Sequence, residues 1–239
     1  MIKRGAAYLL AAYLFIVPVR GAAQEPSPTV RFSSGLELTV VTDPALVGSA
    51  EQCARYNEQR RVKGVTLPAE CEFYDPNHSG NPLLAVRKDD LDQKLSPHIT
   101  VGDYAKIGER KQMKYAREDS TFKRGKEYFS QYIRIDPGLL DRLEQLHQQT
   151  RLRLPIIDGY RSFGYNTRMY WSLGKTPTSS WHSSGKAVDI RVRPKKVSLL
   201  VQRLFENDGI GFGGSFVHLD TRGSKARWYY HFGKKKKRS

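Results

Sequence analysis

Residues 180–190 of the chain read SWHSSGKAVDI, a segment in which His182 is followed seven residues later by Asp189. Imidazole and carboxylate groups both suit a divalent metal. Gly185 can take a turn that larger residues cannot, and a strand from residue 187 would place Ala187 and Asp189 on one face. The segment therefore predicts two metal ligands carried by a turn and a strand.

A second segment, residues 209–220, reads GIGFGGSFVHLD and leads from glycines into a strand. Alternate residues of a strand face the same side. His218 and Asp220 are therefore predicted to share one face, while Val217 and Leu219 face the core.

Taken singly, each histidine is as well explained by a structural role. Together, His182, Asp189 and His218 offer two nitrogen ligands and one oxygen ligand. Three protein ligands leave a fourth position open, as in catalytic zinc sites and unlike closed structural sites. The pattern predicts one catalytic zinc per chain.

A third segment, residues 158–162, reads DGYRS and follows the apolar run Leu154–Ile157. An arginine at the end of a strand is placed to bind a carboxylate or an oxyanion. Arg161 is therefore a candidate catalytic residue.

Outside these segments, regular structure is predicted at four places. Asp136-Pro137 is a helix start, a capping side chain before proline, with leucines at helical spacing after it. His147 adjoins that apolar stripe and is interpreted as a packing residue. A second helix is predicted over residues 197–204, and strands over residues 38–41, 154–157, 216–220 and 227–232. Short strands mixed with helices, without βαβ alternation, predict an α+β fold.

The N-terminus is typical of an exported protein. Lys3 and Arg4 precede an apolar run over residues 6–19 and the small residues of Gly21-Ala22-Ala23. This pattern predicts a signal peptide over residues 1–23 and export of the chain. We expect a periplasmic protein, with secretion as the alternative. A membrane anchor is the alternative, although the run is shorter than the roughly 20 residues that span a bilayer.

Cys53 and Cys71 are the two cysteines of the chain. In an oxidising compartment such a pair usually forms a disulfide, and metal binding is the alternative. Residues 24–94 are predicted to form an N-terminal extension stapled by this bond, in which we find no chemistry.

The formal net charge of +16 indicates an anionic partner. Residues 110–126 are strongly basic and include Tyr115 and Phe122, a composition that an exposed surface or a nucleic-acid site would explain. Export makes the cell wall the better candidate, and a nucleic-acid-binding protein is a rival interpretation. Residues 233–239 form a basic tail in which Lys234, Lys235, Lys236 and Lys237 could contact an anionic surface.

The motif S-x-H-x-x-G-x-A-x-D at residues 180–189 resembles the signature of the D-alanyl-D-alanine carboxypeptidase/hedgehog-type zinc peptidases. Residues 209–222, followed by Trp228, resemble the bacterial branch that includes murein endopeptidases. Residues 160–162, 165–166 and 95–98 are similar to the same branch. The resemblance covers residues 95–232, which form the predicted peptidase domain.

The resemblance implies a small antiparallel sheet flanked by helices. It implies that His182, Asp189 and His218 hold zinc, and that Arg161 binds the substrate or polarises its carbonyl. It also implies a peptide of peptidoglycan as substrate, cut by an endopeptidase or a carboxypeptidase.

The chain departs from the wider group at one position. Classical members carry Glu or Asp three residues before the second histidine, where this chain has Ser215. A zinc hydrolase needs a group that takes up a proton. Asp220 is the candidate base, or else a partner that orients an imidazole. The missing acid also leaves open a catalytically inactive module that binds wall peptides.

Overall fold

The computed structural model describes residues 27–60 and 65–230, together with every side chain in these ranges except those of residues 109 and 110. The helices are α1 (Pro44–Val47), α2 (Ala50–Gln59), α3 (Val101–Ala105), α4 (Pro137–Thr150), α5 (Phe163–Ser172) and α6 (Ser198–Leu204). The strands are β1 (Thr29–Arg31), β2 (Glu37–Thr39), β3 (Leu84–Ala85), β4 (Lys94–Ser96), β5 (Ile99–Thr100), β6 (Lys106–Glu109), β7 (Thr121–Arg124), β8 (Glu127–Ser130), β9 (Tyr132–Ile133), β10 (Ile156–Asp158), β11 (Ala187–Ile190), β12 (Gly209–Phe212), β13 (Val217–Asp220) and β14 (Ala226–Tyr229).

A five-stranded sheet with the order β10-β11-β13-β12-β14 forms the centre of the C-terminal half. Its strands pair antiparallel except for β12 and β14, which run parallel. Smaller antiparallel sheets surround it, among them the β6-β8-β7 sheet. The α+β class is confirmed, and the predicted small antiparallel sheet has one parallel edge.

One face of the central sheet packs into the hydrophobic core. Val188, Val217 and Leu219 are fully buried there together with Leu139 of α4 and Val201 of α6. Because side chains alternate along a strand, the residues between them point to the opposite face. The predicted inward direction of Val217 and Leu219 is thereby confirmed, and the opposite face is left for polar groups.

The predicted elements occur close to their expected positions. The helix after Asp136 is α4, and the Asp136 side chain accepts a hydrogen bond from the Leu139 backbone amide at 2.8 Å. The second helix is α6, and the four strands correspond to β2, β10, β13 and β14, although residues 231 and 232 of the last predicted strand lie outside the described residues. Sequence reasoning missed α5, and it treated the glycines of β12 as a lead-in rather than a strand.

Residues of the predicted N-terminal extension pack into the same core as the central sheet. Phe32, Leu38, Phe73, Leu84 and Leu91 all belong to the cluster that contains the core residues of α4 and β11. The predicted disulfide between residues 53 and 71 is confirmed, with the two Cα atoms 5.5 Å apart. The extension is therefore packed against the C-terminal half and tied internally by a covalent bond.

The predicted signal peptide and basic tail lie outside the described residues. Among the helices that the structure does describe, none has the length and apolar character needed to cross a bilayer. The basic stretch over residues 110–126 forms two 3-10 turns followed by β7. Arg117 and Arg124 in it are paired with Asp119 and Asp92, as expected for charges on a solvated surface.

Candidate metal centre

The polar face of the central sheet brings the predicted ligands together. Asp189 of β11 lies directly opposite His218 of β13 in the antiparallel register. His182 reaches the same place from a 3-10 turn over Trp181–Ser184, which precedes β11. Gly185 closes that turn at φ 71°, a left-handed conformation that favours glycine. The turn and the strand pairing thus unite two segments that lie far apart in the sequence.

Three ligand atoms, one from each residue, lie within 4.8 Å of one another. The His218 Nδ1 atom is 2.8 Å from Asp189 Oδ1 and 3.3 Å from His182 Nε2. His182 Nε2 is 3.7 Å from the same Asp189 oxygen. His182 and His218 are buried, and the side chain of Asp189 is 17% exposed. The group is compact enough to surround a single cation.

The outer nitrogen of each imidazole is bonded to an oxygen that fixes the tautomer. His182 Nδ1 lies 2.7 Å from the Gly159 carbonyl oxygen, which can only accept, so Nδ1 carries the proton. His218 Nε2 lies 3.0 Å from Asp220 Oδ2 and donates to that carboxylate. Each ring therefore turns its other nitrogen, with a free lone pair, toward the cluster, as metal-binding histidines do.

The chemistry of this donor set fits a divalent metal. With the protons on the outer nitrogens, the inner atoms of His182, His218 and Asp189 are three acceptors facing one another, an arrangement that suits a cation between them. Burial raises the pKa of Asp189, but the two histidines outweigh it and hold the pKa well below its usual range. Burial lowers the pKa of His218, but its bonds to Asp189 and Asp220 outweigh it and raise the pKa. A proton therefore competes with metal at His218 Nδ1.

Asp220 lies on the far side of His218 from the three ligand atoms. Its carboxylate is fully buried, and Arg222 donates to it through Nε at 2.7 Å and Nη2 at 2.6 Å. Burial raises the pKa of Asp220, but Arg222 and His218 outweigh it and bring the pKa to about 2. An ionised carboxylate bonded to the outer nitrogen holds the imidazole in place. The sequence allowed two roles for Asp220, a base or a partner that orients an imidazole. These contacts support the second role.

Arg161 lies beside the centre, at the turn that follows β10. Its Nη1 atom is 3.3 Å from Asp158 Oδ2, and its backbone amide donates to the His182 carbonyl at 3.4 Å. The buried Nε atom has no hydrogen-bond partner within the described residues. A cavity of about 390 Å³, lined in part by Asp158, Arg161, Tyr165 and Met169, lies next to it. Arg161 is therefore placed at the boundary between a cavity and the metal cluster.

The comparison with known proteins agrees with this geometry. The model of a peptidase M15 family, described as peptidoglycan L,D-endopeptidase MepK, matches residues 101–228. The chain belongs to this family. The matched range contains all of the candidate ligands as well as Arg161 and Asp220, while residues 27–100 precede it.

Two relatives within the MepK family show how far the likeness extends. Peptidoglycan L,D-endopeptidase MepK of Escherichia coli (strain K12) is 31% identical over 100 residues, which is 39% of this chain and 54% of that protein. Probable peptidoglycan L,D-endopeptidase MepK of Haemophilus influenzae is 24% identical over 147 residues, 58% of this chain and 75% of that protein. The match to the Escherichia coli protein thus spans about half of that protein's length. No solved structure matches the chain.

Sequence reasoning overlooked Asp158, which it treated as the end of a strand. In the structure its Cα atom is paired with that of Asp189 across β10 and β11. Burial raises the pKa of Asp158 despite the opposing effects of Arg161 and His182. The signal was available in the sequence, because an acid three residues before a candidate arginine can form an ion pair with it.

Two tryptophans, Trp181 and Trp228, lie close to the centre. The ring centroid of Trp228 lies 5.1 Å from that of His218. The Arg222 guanidinium lies 5.1 Å from the Trp228 ring centroid and 5.9 Å from that of Trp181. Both aromatic rings thus pack around the arginine that binds Asp220, so they support the outer side of the centre.

Proposed function

We propose that the chain is an exported zinc-dependent peptidase that hydrolyses peptide bonds of peptidoglycan. The observation that carries the proposal is the convergence of His182, Asp189 and His218, with both outer imidazole nitrogens already bonded to oxygen. Membership of the MepK family supports peptidoglycan as the substrate class. The names of the relatives further support an endopeptidase that acts on L,D bonds rather than a carboxypeptidase.

Zinc is the metal that two imidazoles and one carboxylate favour, and one ion per chain is proposed. When bound, it supplies the Lewis acidity needed for amide hydrolysis. His182 and His218 contribute Nε2 and Nδ1 as ligand atoms, and Asp189 contributes a carboxylate oxygen. Asp220 holds the proton-bearing Nε2 of His218 and so fixes the orientation of the ring.

Arg161 and Asp158 are proposed to act on the substrate. The Arg161 side chain lines the cavity and is 17% exposed, so its guanidinium can donate to a substrate carboxylate or to an oxygen that gains charge during hydrolysis. Asp158 is the proposed proton acceptor, because it lies opposite Asp189 on the neighbouring strand and burial raises the pKa of its carboxyl group. Its proton would then pass to the leaving amine.

A second candidate function is a module that binds wall peptides without cleaving them. Ser215 stands at the position where an acid is expected, and it is exposed at the turn before β13. The Asp220 carboxylate is bonded to the outer nitrogen of His218. Both observations favour a non-catalytic protein if Asp158 does not serve as base.

Export to the periplasm is part of the proposal, since peptidoglycan lies outside the cytoplasm. It rests on the N-terminal sequence pattern of residues 1–23 and on the substrate class of the relatives. The basic tail, including Lys234–Lys237, is proposed to contact anionic surfaces weakly. A nucleic-acid partner is not proposed, because the signal pattern and the metal ligands both favour the cell wall.

The proposal is tested with purified residues 24–239, loaded with zinc and incubated with muropeptide dimers that carry either L,D or D,D cross-links. Separation of the products should show cleavage of the L,D dimers and its loss on chelation. The variant His98→Ala serves as a control for loss of a histidine outside the site, and it should cleave as the wild type does. His98 contacts Glu144 and His147 and not the cluster. Binding of the dimers without cleavage would instead support the non-catalytic module.

A further inference from the structure

The segment of residues 72–81, here called the brace, precedes the range that the family model matches. It contacts the loop of residues 180–185 that carries His182, here called the His182 loop. Asn77 Nδ2 donates to the Ser180 carbonyl at 3.1 Å and to Ser184 Oγ at 2.8 Å. Ser184 Oγ in turn donates to Asp75 Oδ1 at 2.5 Å. The brace thus binds both ends of the loop.

Further bonds reach the Ser184 carbonyl oxygen. Asn81 Nδ2 donates to it at 2.9 Å and Ser79 Oγ at 3.3 Å. Ser184 is completely buried, so its polar atoms need partners inside the protein. The brace supplies such partners to Ser184, the last residue of the 3-10 turn that carries His182.

The N-terminal end of the brace holds the turn that carries Arg161. The buried Glu72 carboxylate accepts from Ser162 Oγ at 2.5 Å and from Arg168 Nη2 at 2.8 Å and Nη1 at 2.9 Å. The Gly164 amide donates to the Glu72 carbonyl at 3.0 Å, and a Cβ atom on Gly164 would lie 2.0 Å from Glu72 Oε2. The brace is therefore in close contact with the turn after β10 as well.

The His182 loop and the turn that carries Arg161 also depend on each other. His182 Nδ1 donates to the Gly159 carbonyl, and the Arg161 amide donates to the His182 carbonyl. A shift of either would move the imidazole relative to Asp189 and His218. The disulfide at Cys71 fixes the residue immediately before the brace.

We propose that the brace positions the His182 loop for metal binding, so that residues outside the matched peptidase region set the affinity of the centre for a divalent metal. Asn77 and Asn81 are positioning residues in this scheme, because they contact the loop and not the ligand atoms. The proposal rests on the proposed function only in taking the cluster to be a metal site.

The test measures zinc affinity by competition with a chelator for wild type and Asn77→Ala. We expect the dissociation constant of zinc to rise about tenfold, the lower end of the effect seen when groups that support metal ligands are removed. Amide hydrogen exchange should accelerate in residues 181–186 of the variant. Asn207→Ala is the matched control, because Asn207 is exposed in the turn before β12.

Equal zinc affinity in Asn77→Ala and Asn207→Ala would overturn the proposal, whatever the exchange rates show. If urea unfolding shows that Asn77→Ala has lost its fold, the zinc affinity of Asn81→Ala is compared with that of Asn207→Ala instead. Asn81→Ala is the milder change, because it removes only the hydrogen bond from the Asn81 side chain to the Ser184 carbonyl. Zinc binding without cleavage of muropeptides would refute the proposed function and leave this inference intact. Cleavage by wild type with unchanged affinity in the variants would refute the inference alone.

Discussion

At the scale of single residues, the centre depends on which nitrogen of each imidazole faces the cluster. His182 presents Nε2 because Nδ1 is bonded to a backbone carbonyl, and His218 presents Nδ1 because Nε2 is bonded to Asp220. The sequence identified both histidines but not this assignment. The assignment of the protons is decided by two hydrogen-bond acceptors on different elements. They are the Gly159 carbonyl in the turn after β10 and the Asp220 carboxylate on β13.

Removing one ligand should empty the centre. We expect wild-type protein to hold about one zinc per chain and His218→Ala or His182→Ala to hold almost none after dialysis, because two remaining ligands bind weakly. Metal analysis of the dialysed proteins checks this. Metal retained by both variants at the wild-type level would place the site elsewhere.

Asp220→Asn separates the two roles considered for Asp220. An orienting carboxylate predicts a 10- to 100-fold loss of zinc affinity. Under either role a stability loss of about 3 kcal/mol is expected, because Arg222 loses its buried partner. A base instead predicts that zinc affinity is kept while kcat falls. Chelator competition and kcat measured on the same preparation distinguish the two roles, and urea unfolding measures the loss of the ion pair.

At the scale of elements, the glycines of β12 make room for the centre. Gly211 lies opposite His218 on one side and Trp228 on the other. A Cβ atom on Gly211 would lie 2.5 Å from the Trp228 ring. Four residues lie side by side on adjacent strands in the order Asp189, His218, Gly211 and Trp228. The position on β12, between His218 of β13 and Trp228 of β14, therefore requires a residue without a side chain.

Gly211→Ala should displace Trp228 and destabilise the protein by about 1–3 kcal/mol, the usual effect of overpacking. Gly214→Ala is the control, since a Cβ atom there would meet nothing within 4 Å. Urea unfolding followed by tryptophan fluorescence measures both. Equal unfolding midpoints for the two variants would contradict the close contact.

At the scale of the whole molecule, the N-terminal residues are part of the same packed body as the centre. The disulfide closes a loop with a sequence separation of 18 residues next to the brace. Cys53→Ser/Cys71→Ser should lower the free energy of unfolding by about 3 kcal/mol according to the chain-entropy model. Urea unfolding of the double variant tests this, and a midpoint equal to that of the wild type under oxidising conditions would contradict it.

The brace also predicts a pH dependence of stability. Burial raises the pKa of Asp75, but bonds from Ser184, Ser79 and Asn77 outweigh it and lower the pKa below 3.8. A depressed folded-state pKa contributes stability that is complete above the unfolded value and is lost as pH falls through the folded value. The stability difference between wild type and Asp75→Asn should therefore be greatest above about pH 4 and shrink below it. Urea midpoints from pH 6 to pH 2 measure this, and a constant difference would contradict it.

The sequence by itself determined the α+β class, the main helix after Asp136, the disulfide pair and the three candidate ligands. Capping and alternation along a strand are short-range rules, so the helix and the strands can be predicted from near neighbours in the chain. The cysteine pair and the three candidate ligands, which come from two separate motifs, were recognised by the distinctive chemistry of their side chains.

Only the tertiary structure decided the parallel edge at β14, the outer-nitrogen partners of the histidines, the closeness of Asp158 to Asp189, and the contact of the brace with the His182 loop. The physical reason is sequence separation. Asn77 and Ser184 are 107 residues apart, and no local preference of either residue encodes the hydrogen bond between them. It forms because packing of the common core brings the two segments together.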